Sequence, residues 1–176
     1  MYPDVQNEVE SERETISELS LPDALALALQ IHRRGHLTEA ETLYRKVLDI
    51  APDYADAQHF LGVLLHQGGD SDSGIELIRK SIALDPGEPN YYNNLGNVLV
   101  EMERLAEAAD AYKKVIALAP DHAKAHNNLG ALSKALGRFD EAAAAYQKAI
   151  ELNPDHVDAH NNMGKLLSAR TSRPSL

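Results

Sequence analysis

The sequence repeats itself every 34 residues, and this period constrains the fold more than any other feature. Prolines stand at Pro52, Pro86, Pro120 and Pro154, each 34 positions after the one before. Three further columns keep the same step, two of small residues and one of large apolar residues: Ala28, Gly62, Gly96, Gly130, Gly164; Ala40, Gly74, Ala108, Ala142; and Tyr44, Ile78, Tyr112, Tyr146. A fixed period of this length indicates a stack of similar supersecondary units.

Residues 123–156 show the unit most clearly. Apolar residues at three- and four-residue steps predict an amphipathic helix that ends near Leu136. Gly137 follows and suits the left-handed conformation that closes a helix. A second helix is predicted from about Asp140, and Pro154 ends it because proline lacks the amide donor. The unit is therefore an antiparallel helical hairpin.

Polar residues mark the predicted helix starts. Asp53, Asp121 and Asp155 directly follow prolines, where an N-cap for the next helix is needed. Ser20 is the expected N-cap of the first helix, with Pro22 in its first turn.

The columns carry a family resemblance. A 34-residue helical hairpin with Leu-Gly, Gly, Ala, Tyr and Pro at these positions resembles the tetratricopeptide repeat, from Leu21 to about Ala169. The wording A-H-N-N-L-G at 125–130, with Y-Y-N-N-L-G and A-H-N-N-M-G in neighbouring repeats, is similar to repeats of O-linked N-acetylglucosamine transferases and their bacterial relatives. The aromatic residue of the family's first helix is mostly absent, because its column reads Ala24, Gln58, Tyr92, His126, His160.

The resemblance implies an all-α fold, a right-handed α-solenoid of four helix–turn–helix hairpins plus a terminal helix. The expected domains are an acidic leader at 1–20, the solenoid at 21–169 and a polar tail at 170–176. The expected repeats are 21–54, 55–88, 89–122 and 123–156, with a half repeat at 157–169. The leader is expected to be disordered, or alternatively a short helix that folds back over the first repeat.

Two parts of the solenoid depart from the pattern. The second repeat has a glycine-rich stretch at 68–74, predicted to be a long soft turn, and Gly74 and Ser81 replace larger apolar residues. Each replacement is expected to weaken the repeat by about 0.5–1 kcal/mol. The half repeat 157–169 lacks a second helix, so either the chain was cut from a longer protein or this face serves association.

Composition excludes several classes of function. The net charge is −10, with no stripe of lysine or arginine, which argues against nucleic-acid binding. The chain has no cysteine, no signal peptide and no apolar run long enough to span a membrane, so we expect a cytoplasmic protein. It has no nucleophile–base–acid set and no phosphate-binding loop, so we expect no enzyme and no cofactor.

The main candidate site is a ladder of asparagines on the first helices. Asn94, Asn128 and Asn162 recur at the 34-residue step, and three more asparagines and a lysine accompany them: Asn93, Asn127, Asn97 and Lys124. An amide side chain offers donors and an acceptor, so a ladder of amides can bind a peptide backbone. The resemblance implies that the matching asparagines of the transferases hold an extended peptide in a concave groove. The alternative is that the asparagines serve hydrogen bonds between repeats.

The groove becomes apolar toward the N-terminus. Phe60 replaces the ladder asparagine, and Leu25, Leu29 and Val63 accompany it in columns that face the groove in this family. An exposed apolar patch usually marks a contact site. This one could receive a partner's apolar anchor, residues 1–19 of the same chain, or a second copy of the protein.

Two other kinds of site are not favoured. A clamp for peptide carboxylates requires cations in adjacent repeats, and the equivalents of Lys124 are Asn90 and Asp158. Histidines recur in i, i+4 pairs beginning at His122 and His156, a spacing that can suit a metal. The 34-residue step explains both pairs by repetition, so no metal is expected.

Three functions remain open. The first is a scaffold that binds a protein or extended peptide in the asparagine-lined groove. The second is the substrate-recruiting N-terminal part of a larger glycosyltransferase-type enzyme. The third is a self-association module, a homodimer formed through the apolar end of the groove or through the exposed C-terminal helix.

Overall fold

The computed structural model describes residues 19–171, and every regular element within that range is an α-helix. Residues 1–18 and 172–176 lie outside the described part of the chain, as do most of the expectations for the leader and the tail. The helices are α1 (Leu21–Arg33), α2 (Leu37–Ile50), α3 (Ala55–Gln67), α4 (Ser71–Leu84), α5 (Pro89–Glu101), α6 (Leu105–Leu118), α7 (Ala123–Ala135), α8 (Phe139–Leu152) and α9 (Val157–Thr171).

The chain divides into two compact units. Unit 1 ends at Leu84 and contains the hairpins α1–α2 and α3–α4. Unit 2 begins at Asp85 and contains the hairpins α5–α6 and α7–α8, followed by α9. The prediction of an all-α fold with four hairpins and a terminal helix is therefore confirmed.

The first helix begins as predicted, because the Ser20 side chain accepts a hydrogen bond from the Asp23 amide at 3.4 Å. The predicted aspartate caps are wrong. The N-caps of α3 and α7 are Tyr54 and His122, one residue later than expected. The aspartates instead sit in β-turns: the Tyr54 amide donates to the Ala51 carbonyl at 3.1 Å, so Pro52 and its aspartate are the two central turn residues.

These turns are fastened by a column of side chains that sequence reasoning did not identify. Each donates a hydrogen bond to the carbonyl of the proline six residues earlier, over 2.6–3.2 Å. The donors are Gln58 to Pro52, Tyr92 to Pro86, His126 to Pro120 and His160 to Pro154. This is the column where the family's aromatic residue is mostly missing, and a polar donor there ties the turn to the helix that follows it.

Within the hairpins of unit 2, small residues admit large ones. A Cβ atom at Gly96 would lie 2.5 Å from the Tyr112 ring, and one at Gly130 would lie 2.7 Å from the Tyr146 ring. Both tyrosines are buried. The two columns of the sequence therefore form one contact, in which the second-helix ring packs on first-helix backbone.

The second hairpin uses a closer contact than expected. A Cβ at Gly62 would lie 2.7 Å from the Gly74 carbonyl oxygen, and one at Gly74 would lie 2.6 Å from the Gly62 carbonyl oxygen. The prediction of a long soft turn is wrong, because α4 already begins at Ser71 and the Asp70 carboxylate accepts from the Ser73 amide at 3.2 Å. Gly74 is thus required by close packing of two backbones.

The terminal helix α9 is buried on one face only. Leu166 is fully buried and packs in a cluster with Tyr146, as α9 lies against α8. Gly164 has no atom within 4 Å of its would-be Cβ, and Leu167 is 53% exposed. The face that receives a second helix in the other repeats is therefore open to solvent.

Candidate functional site

The predicted asparagines of unit 2 lie on its inner face, formed by α5, α7 and α9. Asn93 and Asn127 are buried, at 4% and 7% exposure. The others are half-buried: Asn94, Asn97, Asn128 and Asn162. The columns thus separate into a buried layer and a layer that reaches the surface.

The two layers are joined by hydrogen bonds between neighbouring repeats. Asn162 Nδ2 donates to Asn127 Oδ1 at 3.0 Å. One repeat earlier, Asn128 Nδ2 donates to Asn93 Oδ1 at 3.2 Å and to Asn97 Oδ1 at 3.1 Å. The same link therefore occurs twice, and the asparagines do serve hydrogen bonds between repeats.

A tyrosine fixes the orientation of the amide at Asn97. The Tyr112 hydroxyl donates to Asn97 Oδ1 at 2.8 Å. Burial raises the pKa of Tyr112 to about 12, and the Glu101 carboxylate raises it further in the same direction. The hydroxyl is therefore protonated at neutral pH and remains a donor. Sequence reasoning placed Tyr112 only in the core, because nothing in the chain shows which amide its hydroxyl meets.

These bonds leave complementary groups unused. Asn97 Oδ1 already accepts two hydrogen bonds, while its amide NH2 has no acceptor among residues 19–171. Asn128 uses its NH2 group on two acceptors, and no described residue donates to its Oδ1. A donor and an acceptor thus stand on adjacent side chains, which is the pattern needed to pair with the C=O and N–H groups of a peptide backbone.

Lys124 adds a positive charge to this face. Its side chain is exposed, one helical turn before Asn128, and it forms no ion pair with a described residue. The neighbouring surface cations of unit 2 differ, since Arg104, Lys113, Arg138 and Lys148 each contact a carboxylate on their own helix.

Unit 1 carries a different inner face on α1 and α3. Phe60 stacks on the Tyr44 ring, with centroids 6.3 Å apart and planes at 19°, and it is half-buried. Leu29 and Val63 are also half-buried. Tyr44 occupies the same repeat position as Tyr112, so one column of rings supports both inner faces.

Leu25 departs from the expectation of an exposed contact residue. It is 6% exposed and belongs to the core of unit 1. The reason lies in its repeat position, which it shares with His59, Asn93 and Asn127, all of them buried. This column forms the layer beneath the surface in both units.

His59 is the ionisable member of that column. It is 1% exposed and contacts the Phe60 ring edge-on, with centroids 4.9 Å apart. Desolvation by burial lowers the pKa of His59 to about 4, although the nearby Asp56 carboxylate opposes the shift. The ring is therefore neutral at pH 7.

A second imidazole connects three helices of unit 1. His32 Nε2 lies 2.8 Å from Gln67 Oε1, so it donates there, and His32 Nδ1 accepts from the Tyr44 hydroxyl at 3.1 Å. Burial raises the pKa of Tyr44, which keeps the hydroxyl protonated. This network orients the ring on which Phe60 stacks.

A shallow cavity of about 510 Å³ opens at the start of α1. Its lining is mainly apolar and consists of Leu21, Pro22, Ala51, Pro52, Asp53 and Tyr54. Sequence reasoning did not identify it, because it arises where the first helix meets the first inter-repeat turn.

The paired histidines are occupied by the backbone. His122 Nδ1 accepts from the Ala125 amide at 3.1 Å, and His156 Nδ1 accepts from the Ala159 amide at 3.4 Å. Their i+4 partners donate to proline carbonyls, as described above. Within residues 19–171, no group of three or more histidine or carboxylate side chains is placed to hold a metal ion, and no helix there has the length and apolarity to cross a membrane.

Solved structures with the same architecture include several repeat proteins. Pseudomonas aeruginosa PilF superposes with a TM-score of 0.81 at 27% identity, over 86% of this chain and 69% of that one. The first repeat domain of Spaghetti (RPAP3), solved with the HSP90 peptide SRMEEVD, gives 0.63 at 26% identity over 67% and 94%. A Thermobaculum terrenum O-GlcNAc transferase gives 0.68 at 28% identity, over 74% of this chain but 26% of that one.

Family models agree with the architecture. A comparison with curated protein sequences returned no match. Three models, each described as a tetratricopeptide repeat, match residues 32–96, 93–156 and 145–173, and together they cover most of the chain. With its 34-residue period and its stacked helical hairpins, the chain belongs to the tetratricopeptide repeat family.

Proposed function

We propose that this protein is an interaction scaffold that binds an extended peptide on the inner face of unit 2. The observation that carries the proposal is the unused donor of Asn97 beside the unused acceptor of Asn128. A protein that needed these amides only for packing would have no reason to leave both groups on the same face. Binding rather than catalysis is the role that such a set of side chains can perform.

Each residue has a distinct part in this proposal. The Asn97 NH2 group donates to a peptide carbonyl, and Asn128 Oδ1 accepts from a peptide N–H. Asn162 acts one repeat later with its second N–H and its Oδ1, and Asn94 acts one repeat earlier. Asn93 and Asn127 are buried, so they position the surface amides, and Lys124 attracts a carboxylate of the peptide.

The similarity to RPAP3 supports the class of function, because that domain was solved with a bound peptide. The chemistry differs here. A face of amides contacts backbone groups, which all sequences share, whereas one lysine provides limited charge selection. We therefore expect broad peptide selectivity with a preference for sequences that place an acidic residue near Lys124.

The test is capture from a random peptide library by the immobilised protein. The Asn94→Ala, Asn128→Ala, Asn162→Ala triple variant should lose at least 90% of the captured peptide, because three sets of backbone contacts disappear together. The matched control replaces three exposed residues of the second helices, Lys113, Glu141 and Lys148, with alanine and should capture normally. Circular dichroism must show equal helix content in all three proteins. Equal capture by the triple variant would reject the proposal.

A second function is favoured by the transferase similarity. This chain covers 26% of the Thermobaculum protein, as a recruiting segment of a larger enzyme would. The test is the genomic reading frame: a glycosyltransferase domain encoded after Leu176 would support this function. A stop codon directly after Leu176 would reject it and leave the free scaffold.

A further inference from the structure

The inner face of unit 1 combines an apolar centre with unneutralised positive charge. Its centre consists of Leu29, Phe60 and Val63, all half-buried. Arg33 lies one turn beyond Leu29 on α1, and Arg34 follows it. Both arginines are exposed, and neither forms an ion pair with a described residue.

The charge of Arg33 acts at the apolar centre itself. It lowers the pKa of the Tyr44 hydroxyl against the larger effect of burial, so the guanidinium lies close to this group. The Tyr44 ring in turn stacks on Phe60. A ligand of this face should therefore offer apolar side chains for its centre and carboxylates for its edge.

Residues 1–18 of the chain have that composition. They contain six acidic residues and one arginine, Arg13. Their apolar residues Val5, Val9 and Ile16 are four and seven positions apart, a spacing that aligns side chains on one face of a helix. The segment thus matches the face in both charge and apolar content.

The attachment point makes the encounter intramolecular. Leu19 packs against the core of unit 1, and α1 begins two residues later. Leu29 lies about 12 Å further along α1 at 1.5 Å per residue, which a few residues of chain can span. A short tether of this kind gives an effective concentration of about 1 mM, so contacts too weak for a free peptide suffice.

We infer that residues 1–18 dock in cis on the inner face of unit 1. Val5, Val9 and Ile16 lie against Phe60 and its apolar neighbours, and the carboxylates lie beside Arg33 and Arg34. The segment shields this apolar face from other molecules. The inference is independent of peptide binding by unit 2, because none of its contacts involves the asparagine ladder.

The test uses the full chain, which has no native cysteine to remove. Nitroxide labels are attached to Gln6→Cys in the segment and Gln30→Cys on the exposed side of α1, and the distance between them is measured by double electron–electron resonance. Docking predicts one narrow distance distribution. A free tether of 14 residues would instead spread broadly around an r.m.s. length of roughly 20 Å.

Variants identify the face that holds the segment. Phe60→Asp should broaden the distribution by placing a carboxylate in the apolar centre, and Arg33→Glu should do so without touching the core. Asn128→Ala in unit 2 is the matched control and should leave the distribution narrow. A broad distribution in the parent protein, or one that neither Phe60→Asp nor Arg33→Glu changes, would overturn the inference.

Dilution separates the other occupant. Labelled protein is mixed with a tenfold excess of unlabelled protein before the measurement. A narrow distance that persists at full modulation depth supports docking within one chain. A modulation depth that falls with dilution would show that the segment docks on a second copy, and the cis arrangement would be wrong.

Discussion

Tyr44, Tyr112 and Tyr146 share one repeat position, but their hydroxyl groups have different surroundings. Tyr44 donates to His32 and Tyr112 donates to Asn97. The Tyr146 hydroxyl is buried, and no described residue lies within hydrogen-bond distance of it, because Ala131 stands where Asn97 stands one repeat earlier. The same residue type therefore contributes differently in each repeat.

This difference predicts opposite results for one substitution. Tyr112→Phe should destabilise the protein by about 1 kcal/mol, because it removes a hydrogen bond and leaves Asn97 with one donor fewer. Tyr146→Phe should be neutral or stabilising by up to about 1 kcal/mol, because it removes a buried polar group without a partner. Urea unfolding followed by circular dichroism checks both variants. Equal losses in both would show that the Tyr146 hydroxyl has a partner.

His59 predicts how stability depends on pH. Its pKa is about 4 in the folded protein against an ordinary value of 6.5, so between these values the unfolded chain binds a proton that the folded protein does not. Stability should therefore fall as the pH falls from 6.5 toward 4, by at most about 3 kcal/mol from this residue. His59→Leu should flatten this part of the urea-unfolding profile. His36→Gln, at an exposed histidine, is the control and should keep the slope.

Glu103 predicts a stabilising substitution. Its φ is +58°, and the equivalent residues in the other repeats are glycines at +85°, +96° and +74°. Glycine adopts this conformation without the steric cost that a side chain meets. Glu103→Gly should raise stability by about 0.5–1 kcal/mol, after allowance for the greater freedom of glycine in the unfolded chain. The reverse change, Gly137→Glu, should lower it, and thermal unfolding measures both.

At the scale of the element, the α3–α4 hairpin depends on two glycines in contact. Sequence comparison among the repeats favours alanine at position 74, since Ala40, Ala108 and Ala142 are its equivalents. The structure opposes this substitution, because the new Cβ would lie 2.6 Å from the Gly62 carbonyl oxygen. Backbone atoms at that distance cannot move aside as a side chain would.

Gly74→Ala should therefore destabilise the protein by about 1–3 kcal/mol, as overpacking does. Gly68→Ala is the matched control, because its backbone is right-handed and its Cβ would make ordinary contacts. It should be neutral or stabilising by up to about 1 kcal/mol. Stabilisation by Gly74→Ala would show that the two helices separate easily.

The helices could be predicted from the sequence because period, glycine and proline act locally. The 34-residue step and the proline stops gave the hairpins and their order. The cap residues could not be predicted, because Asp53 satisfies the requirements of both a cap and a β-turn, and the fold uses it in the turn. The fastening of turns by Gln58, Tyr92, His126 and His160 was missed since these side chains have in common only a donor group.

At the scale of the whole molecule, the two units present different chemistry on equivalent helices. Unit 2 offers amides held by Tyr112, and unit 1 offers Phe60 held by Tyr44. The sequence predicted both sets of residues from their columns. It could not predict which amide groups are already used, because that depends on hydrogen bonds between residues 31 and 35 positions apart.

The central claim is that the free amide groups of unit 2 bind peptide backbone. The most direct measurement is calorimetric titration with a captured peptide in which single backbone amides are replaced by esters, which removes one N–H donor at a time. We expect one or two positions to weaken binding about two- to tenfold, the range of a single hydrogen bond, and the Asn128→Ala variant to lose this sensitivity. Equal affinity for every ester, with strong dependence on side chains, would contradict the claim.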